Sequence, residues 1–187
     1  EISDDILAKL LIEVEEINQG EPITYFEILT AAFFYYAKNF DNINLIESGL
    51  FHRFDATNII SENYASIITA IGLDHLDWLP KNEQTLEKIV YEKTSSLLSS
   101  KIIISKQSDI ETLDIIKKNI STNNSKKIIF NEQFSFLENE NGFFYYEDEN
   151  GGLKLPKPNV LGEFQIENVA TAIATIRSLK LSVEDIN

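Results

Sequence analysis

The sequence contains no cysteine and no methionine. The lack of cysteine excludes disulfide bonds and thiolate metal ligands within the chain, although it does not identify the cellular compartment. Because the chain also starts at Glu1 without an initiator methionine, we interpret it as a segment of a longer protein. A motif that is missing here is therefore weak evidence that the parent protein lacks it.

Positive charge is scarce as well: 16 Lys and Arg residues face 30 Asp and Glu residues, which gives a net charge of −14. Nucleic acids and anionic membranes require a basic surface, so we expect neither as the main partner. No apolar run approaches the roughly 18 residues needed to cross a bilayer, and no segment resembles a secretory signal. The 43% hydrophobic and 25% charged residues over 187 positions are typical of a soluble globular domain.

Alternating apolar patterns predict an α/β fold. Helical periodicity predicts helices over residues 3–20, 24–38, 85–98, 110–120 and 163–179, the second of them buried on most sides. Short β-branched runs predict buried parallel strands over residues 43–46, 65–71, 101–105 and 126–130. The fold class is therefore a mainly parallel sheet with helices on both faces, in a single domain over residues 1–187.

A change of pattern after residue 131 predicts a small antiparallel insertion over residues 131–160. Short apolar runs at 134–137, 143–146 and 153–155 are separated by Asn141-Gly142 and Gly151-Gly152, which are typical turn sequences.

Two polar residues follow predicted parallel strands. Glu47 ends the run 43–46, and His75 follows the run 65–71. Ligands of open α/β sheets bind beyond the carboxyl ends of the strands, so we expect this acid and imidazole at one rim, where they could hold a cation together with phosphate. Spacing alone favours a plainer interpretation, an exposed strand-end acid and a loop histidine that caps a helix.

The segment 53–58 gathers an arginine, a carboxylate and two hydrogen-bonding side chains within six residues. On chemistry alone, an ion pair between Arg53 and Asp55 that fixes a loop is the better interpretation. The chain has no Gly-x-Gly-x-x-Gly motif for a dinucleotide reductase and no Gly-x-Ser-x-Gly elbow for a hydrolase.

Five segments, in order along the chain, resemble one enzyme family, the folylpolyglutamate synthases and dihydrofolate synthases of the Mur ligase superfamily. Residues 47–58 read ESGLFHRFDATN and resemble the signature E-x-G-L-G-G-R-[LF]-D-A-T-N, and residues 66–75, SIITAIGLDH, resemble the strand and loop that follow it. Residues 24–30, TYFEILT, resemble T-x-F-E-x-L-T. Glu92-Lys93 resembles the start of E-K-A-G-I, and residues 161–168, LGEFQIEN, are similar to G-x-[HF]-Q-x-x-N-A.

This resemblance implies a P-loop NTPase-like central domain, preceded by a phosphate-binding loop and followed by a separate C-terminal domain. It implies an ATP-dependent amide ligase, a cytoplasmic monomer that uses ATP and Mg²⁺ to phosphorylate a carboxyl group of dihydropteroate or folate. The amino group of L-glutamate then attacks the acyl phosphate. Because the phosphate-binding loop and the C-terminal domain are absent from residues 1–187, we expect the isolated segment to be inactive.

The resemblance also implies roles for individual residues. Glu47, His75 and Lys93 would be the metal ligands, with Lys93 carbamylated, and His75 and Lys93 would be the catalytic residues. The alternative for Lys93 is a solvated lysine on a helix.

The remaining assignments concern substrate and nucleotide. Thr24, Phe26, Asp55 and Ala56 would form the pterin pocket, with Asp55 accepting hydrogen bonds from the ring, and Asn168 would contact the adenine of ATP.

The chain departs from the family pattern at two places. Phe51 and His52 replace a pair of glycines, and Thr94-Ser95-Ser96 replaces Ala-Gly-Ile. These changes keep open the alternative of a non-catalytic folate- or nucleotide-binding remnant. A murein-precursor ligase of the same superfamily is a separate alternative. The matches at 24–27 and 55–58 favour folate over murein.

Overall fold

The computed structural model describes residues 2–98, 100–139 and 141–180. The chain divides into two compact units, Glu1–Ile59 and Ile60–Asn187. Among the described residues, no helix is long and apolar enough to cross a membrane.

The first unit contains two helices, α1 (Asp4–Asn18) and α2 (Tyr25–Ala37). The hydroxyl of Ser3 accepts a hydrogen bond from the N–H of Ile6 and caps α1, while α2 begins with a full capping box formed by Thr24 and Glu27. A small core forms between the helices from Leu10, Val14 and Ala32. Both helices agree with the prediction.

Two expectations for this unit are wrong. The run 43–46 is not a strand, because residues 41–48 form no helix or strand and Leu45 is 88% exposed. Helix α2 is not buried on most sides either: among its residues only Thr30 and Ala32 are buried, and Tyr25 is 79% exposed. A pair of helices buries one stripe of each, so the other apolar side chains of α2 stay at least partly exposed.

The second unit is built on a parallel sheet of β1 (Ser66–Ile68), β2 (Lys101–Ile104) and β3 (Lys126–Ile129), in that order. Helix α3 (Leu86–Thr94) lies in the chain between β1 and β2, and α4 (Ile110–Asn119) lies between β2 and β3. The side chains of β2 from Ile102 to Ile104 are all fully buried, and since side chains alternate along a strand, both faces of β2 are covered.

An antiparallel sheet follows, formed by β4 (Phe134–Glu138), β5 (Phe143–Asp148) and β6 (Gly151–Pro156). It shares a core with the parallel sheet and with the last helix, α5 (Gln165–Leu179). The hydroxyl of Tyr146 donates to Asp148 Oδ2 at 2.9 Å, and Arg177 Nε of α5 lies 3.0 Å from the same oxygen. Burial, followed by the hydrogen bond to Asp148, raises the pKa of Tyr146. The predicted parallel sheet with helices and a small antiparallel sheet is therefore confirmed.

Candidate substrate-binding loop and sheet edge

The carboxylate of Asp55 organises the loop 47–58 of the first unit. Its Oδ2 accepts the N–H groups of Gly49 at 3.0 Å and Leu50 at 2.8 Å, and its Oδ1 accepts the N–H of Thr57 at 3.0 Å and its hydroxyl at 2.5 Å. A carboxylate offers about four lone-pair positions, so the loop itself uses all of them. Asp55 thus has the structural role that the residue types suggested, but its partners are backbone groups and Thr57.

The pKa of Asp55 reflects these contacts. Burial is the largest single influence and raises the pKa, but the hydrogen bonds from Thr57, Leu50 and Gly49 together outweigh it, so the pKa lies below its usual value. Asp55 is therefore an ionised acceptor at neutral pH.

The structure brings two of the predicted pterin-pocket residues to one point of this unit, Gly49. The ring of Phe26 lies against the Gly49 backbone so closely that a Cβ there would be 2.7 Å from Phe26 Cζ. Since the N–H of Gly49 also donates to Asp55, Phe26 and Asp55 both contact Gly49, and a side chain at this position would require the ring of Phe26 to shift. The ring of Phe26 remains 43% exposed.

The other two predicted pocket residues lie close by in the chain. Thr24 is exposed, and its hydroxyl donates to Glu27 Oε2 at 2.7 Å within the capping box of α2. Ala56 is half-buried within the Asp55 loop.

A second hydrogen-bonded group in the same loop was not foreseen. His52 Nδ1 lies 3.0 Å from Ser48 Oγ, which lies 3.4 Å from Thr57 Oγ1. Burial lowers the pKa of His52, and the charge of Asp55 opposes that shift. The only signal in the sequence was the departure from the family's glycine pair, because spacing within a loop does not determine which side chains meet.

Phe51, the other residue of that pair, has a left-handed backbone with φ of 54°. Glycine adopts this conformation without strain, whereas a side chain makes it costly. The replacement of the glycine is therefore accommodated at the expense of local strain.

The sequence predicts Glu47 at the end of a strand, but the structure has no strand there. Glu47 is exposed and belongs to the irregular segment 41–48 of the first unit. The argument that placed it on a sheet rim is therefore wrong, and only the family resemblance still supports a metal-binding role.

The carboxyl edge of the parallel sheet is held together by Gln107. Its Oε1 accepts the N–H of Ile71 at 3.0 Å, and its Nε2 donates to the carbonyls of Thr69 at 3.2 Å and Ser105 at 3.1 Å. The segments that follow β1 and β2 are thus joined by one side chain, which the sequence did not single out.

The start of α5 reaches the same edge. Lys106, two residues beyond β2, forms a 2.7 Å ion pair with Glu167 of α5. Asn168 follows Glu167 in the first turns of α5 and is exposed, and its Nδ2 donates to Gln165 Oε1 at 3.4 Å. The prediction had placed this residue at a nucleotide site, and nucleotides bind at such edges.

His75 lies in the segment after β1 and has a left-handed backbone with φ of 55°. Its Nε2 is 3.2 Å from Asp74 Oδ2, and it immediately precedes the short 3₁₀ helix Leu76–Trp78. This position agrees with a helix-capping loop histidine, although the side chain itself makes no capping hydrogen bond.

Lys93 occupies the last turn of α3 and is half-buried. The preceding residue, Glu92, is buried and lies 3.2 Å from Lys88, which also pairs with Glu83 at 2.8 Å. Lys93 is thus not on a fully solvated face of the helix.

Within the part of the chain that the structure describes, no group of three or more His, Cys, Asp or Glu side chains is arranged to hold a metal ion. Mg²⁺ that accompanies a nucleotide usually has only one or two protein carboxylates and takes its other ligands from phosphate and water. Single ligands such as Glu47 and His75 therefore remain compatible with Mg²⁺ bound together with ATP.

The described residues also line an open cavity of about 1010 Å³ at the opposite edge of the parallel sheet. Its lining comes from segments that precede the three strands, and it includes none of the predicted site residues: Glu62, Asn63, Tyr64, Leu97, Leu98, Ser100, Asn123, Asn124 and Ser125.

No family model matches the chain, but sequence comparison finds relatives that share one enzyme name. The chain is 28% identical over 177 residues to the dihydrofolate synthase/folylpolyglutamate synthase of Escherichia coli, covering 92% of this chain and 39% of the relative. It is 34% identical over 121 residues to the enzyme of the same name from Buchnera aphidicola, covering 64% of this chain and 28% of the relative. The chain thus spans well under half the length of these relatives.

Comparison with solved structures finds proteins of the same names. The apo form of Lacticaseibacillus casei folylpolyglutamate synthase matches 99% of this chain with a TM-score of 0.77 and 22% identity, over 48% of its own length. The E. coli FolC protein in complex with DHPP and ADP matches 100% of this chain with a TM-score of 0.77 and 25% identity, over 43% of its own length. These matches confirm the predicted Mur ligase-type fold. In sequence and in fold, the chain is similar to one part of the folylpolyglutamate and dihydrofolate synthases.

Proposed function

We propose that the protein that carries this chain is an ATP-dependent ligase that adds L-glutamate to dihydropteroate or folate through an acyl phosphate. The observation that carries the proposal is the 28% identity to a dihydrofolate synthase/folylpolyglutamate synthase over 92% of the chain. The match to E. coli FolC in complex with DHPP and ADP supports the same substrate classes.

The loop 47–58 and the start of α2 are the proposed pterin-binding elements. Phe26 offers a partly exposed aromatic face, and Asp55 fixes the loop beside it. A hydrogen bond from the pterin ring to Asp55 would share an oxygen that already accepts two, so we expect Asp55 to act mainly by shaping the pocket. Thr24 and Ala56 are the other proposed contacts.

The carboxyl edge of the parallel sheet is the proposed nucleotide-binding element. The amide of Asn168 can donate and accept hydrogen bonds at once, which is the combination that the edge of adenine requires. Gln107 and the ion pair between Lys106 and Glu167 hold the segments around it in place.

Glu47, His75 and Lys93 are the proposed metal-binding residues, on the family resemblance. Mg²⁺ bound with ATP would supply the positive charge that offsets the repulsion between the triphosphate and the substrate carboxylate. The chain itself has a net charge of −14 and supplies little of that positive charge. Lys93 enters the set as a carbamate, which presents carboxylate-like oxygens in place of an ammonium.

Variants of these residues test the proposal in the full-length protein. We expect Glu47→Ala and His75→Ala each to lower the rate of glutamate ligation by orders of magnitude and to leave the fold intact, because Glu47 is exposed and His75 is only half-buried. Lys93→Ala should cause a large loss that short carboxylic acids partly restore. The measurement is the ligation rate at limiting and saturating Mg²⁺, with circular dichroism as the check on folding.

Two matched variants serve as controls: Glu13→Ala removes an exposed carboxylate from α1, and Lys118→Ala removes an exposed lysine from the last turn of α4. Both should be nearly silent. A wild-type rate for Glu47→Ala or His75→Ala at limiting Mg²⁺, or a silent Lys93→Ala, would remove that residue from the proposed set.

A further inference from the structure

We propose that His52 is a positioning residue whose imidazole donates from Nδ1 into a one-way chain of hydrogen bonds that ends at the Asp55 carboxylate. The chain runs through the hydroxyl groups of Ser48 and Thr57. It would hold in place the loop that forms the proposed pterin-binding element.

The heavy atoms of the four side chains lie in sequence within one loop. Asp55 Oδ1 is 2.5 Å from Thr57 Oγ1, which is 3.4 Å from Ser48 Oγ, which in turn is 3.0 Å from His52 Nδ1. Ser48, Thr57 and His52 are all half-buried, so protein groups rather than bulk water satisfy much of their hydrogen bonding.

The positions of the protons follow from counting donors, starting at Asp55. An ionised carboxylate only accepts, so the hydroxyl of Thr57 gives its single proton to Asp55. Thr57 Oγ1 can then only accept from Ser48, whose hydroxyl has one proton to give. Once that proton points at Thr57, Ser48 Oγ faces His52 as an acceptor.

The last link therefore requires a proton on His52 Nδ1. The opposite tautomer, with the proton on Nε2, would make Nδ1 an acceptor for Ser48. The hydroxyl oxygens of Ser48 and Thr57 would then face each other with no proton between them. Only the Nδ1–H form satisfies every link, and the partner of a ring nitrogen is what selects the tautomer of a neutral histidine.

Burial and charge at this position agree with a neutral ring. Burial disfavours the charged imidazolium, and the carboxylate of Asp55 is the charged group that opposes this effect. The proposal therefore concerns which nitrogen of a neutral imidazole carries the proton, and it does not depend on titration.

The chain of hydrogen bonds matters because of what Asp55 holds. Asp55 binds the N–H groups of Gly49 and Leu50, and the ring of Phe26 packs on Gly49. Fixing the carboxylate thus fixes the backbone that supports Phe26. A side chain is available at position 52 only because this chain lacks the glycine that the family pattern has there. This functional consequence rests on the proposed function, whereas the tautomer does not.

Nuclear magnetic resonance of ¹⁵N-histidine in the full-length protein tests the tautomer directly. The signals of His52 are identified by their loss in His52→Asn. We expect a proton-bearing Nδ1 and a bare Nε2 near neutral pH, and a shift toward the Nε2–H form in Ser48→Ala. A wild-type His52 with its proton on Nε2 would overturn the proposal. This result comes from the wild-type protein, so the only variant that must fold is His52→Asn, which assigns the signals.

Two substitutions of His52 test the positioning role. An asparagine amide nitrogen can occupy the place of Nδ1, whereas a glutamine amide nitrogen reaches the place of Nε2. We expect His52→Gln to raise KM for the pterin substrate about 3- to 10-fold, the equivalent of one hydrogen bond, with little change in kcat. His52→Asn should stay within about twofold of the wild-type KM, since it keeps the donor.

Equal KM values for His52→Asn and His52→Gln would overturn the positioning role. If the wild-type protein ligates no glutamate at all, the proposed function fails while the tautomer measurement still decides whether the hydrogen-bond chain exists. The two failures are thus distinguishable.

Discussion

Asp55 is the residue on which the loop 47–58 depends most. In Asp55→Asn, an amide group replaces one oxygen and faces N–H or hydroxyl donors, so at least one of the four hydrogen bonds is lost. We expect the free energy of unfolding of the unit to fall by roughly 1–3 kcal/mol. Urea unfolding near pH 7 measures this, and Asp41→Asn, an exposed aspartate in the segment before the loop, should change it little. A loss no larger than that of Asp41→Asn would contradict the structural role.

The same residue gives the stability a pH dependence of known sign. Because the pKa of folded Asp55 is lowered, its stabilisation is fully present above the unfolded value of about 3.9. The stabilisation is lost as the pH falls below that value through the folded pKa. The difference in stability between wild type and Asp55→Asn should therefore shrink on acidification. Taking this difference removes the contribution of other carboxylates that both proteins share, such as Asp109, whose pKa is also lowered.

Residue types predicted some of these contacts and not others. The capping roles of Ser3 and Thr24 follow from short-range rules, because a cap and its N–H partner are three residues apart in every helix. The pairing of His52 with Ser48 follows no such rule, since loop backbone has no fixed periodicity. Chemistry alone paired Asp55 with Arg53, whereas the structure gives the carboxylate four donors from Gly49, Leu50 and Thr57.

At the scale of elements, the start of α2 offers a clear test. Thr24→Ala removes the hydroxyl that accepts the N–H of Glu27 at 3.2 Å, and caps of this kind contribute about 1 kcal/mol. We expect a loss of that size in unfolding free energy. Thr24→Ser keeps the hydroxyl and should retain most of the stability, so equal losses in the two variants would count against the capping box.

Two isoleucines that lie side by side on neighbouring strands of the parallel sheet provide a second test. Ile67 of β1 and Ile103 of β2 are paired in register, but Ile67 is 41% exposed and Ile103 is fully buried. We expect Ile103→Ala to cost about 2–5 kcal/mol, because it leaves a cavity in the shared core. Ile67→Ala should cost clearly less, and the comparison requires only thermal or chemical unfolding. A similar cost for both variants would mean that β2 is not the central buried strand.

The elements themselves were predictable where periodicity and partner agreed. The runs 65–71 and 101–105 both became strands because they pair with each other, as in the register of Ser66 with Ile102. The run 43–46 has a comparable apolar pattern, but it lies in a unit whose regular elements among the described residues are the two helices. A strand requires a partner, and a local pattern does not report whether one is available.

At the scale of the whole molecule, the family resemblance recovered what composition could not. A net charge of −14 argues against nucleic acid but points to no anionic substrate, whereas five short segments in order pointed to one family. Relatives of 28% and 34% identity carry the name of that family, and the structures with a TM-score of 0.77 share the fold. The roles of Glu47, His75, Lys93 and Asn168 stay predictions, because they concern ligands and their chemistry.

The most direct test of the account is the reaction itself. The full-length protein is incubated with ATP, Mg²⁺, L-glutamate and either dihydropteroate or a folate, and the products are followed by mass spectrometry together with the release of ADP and phosphate. We predict a product heavier by one glutamyl residue, formed only when every component is present. A folded protein that binds ATP but adds glutamate to neither substrate would contradict the account and favour a non-catalytic relative.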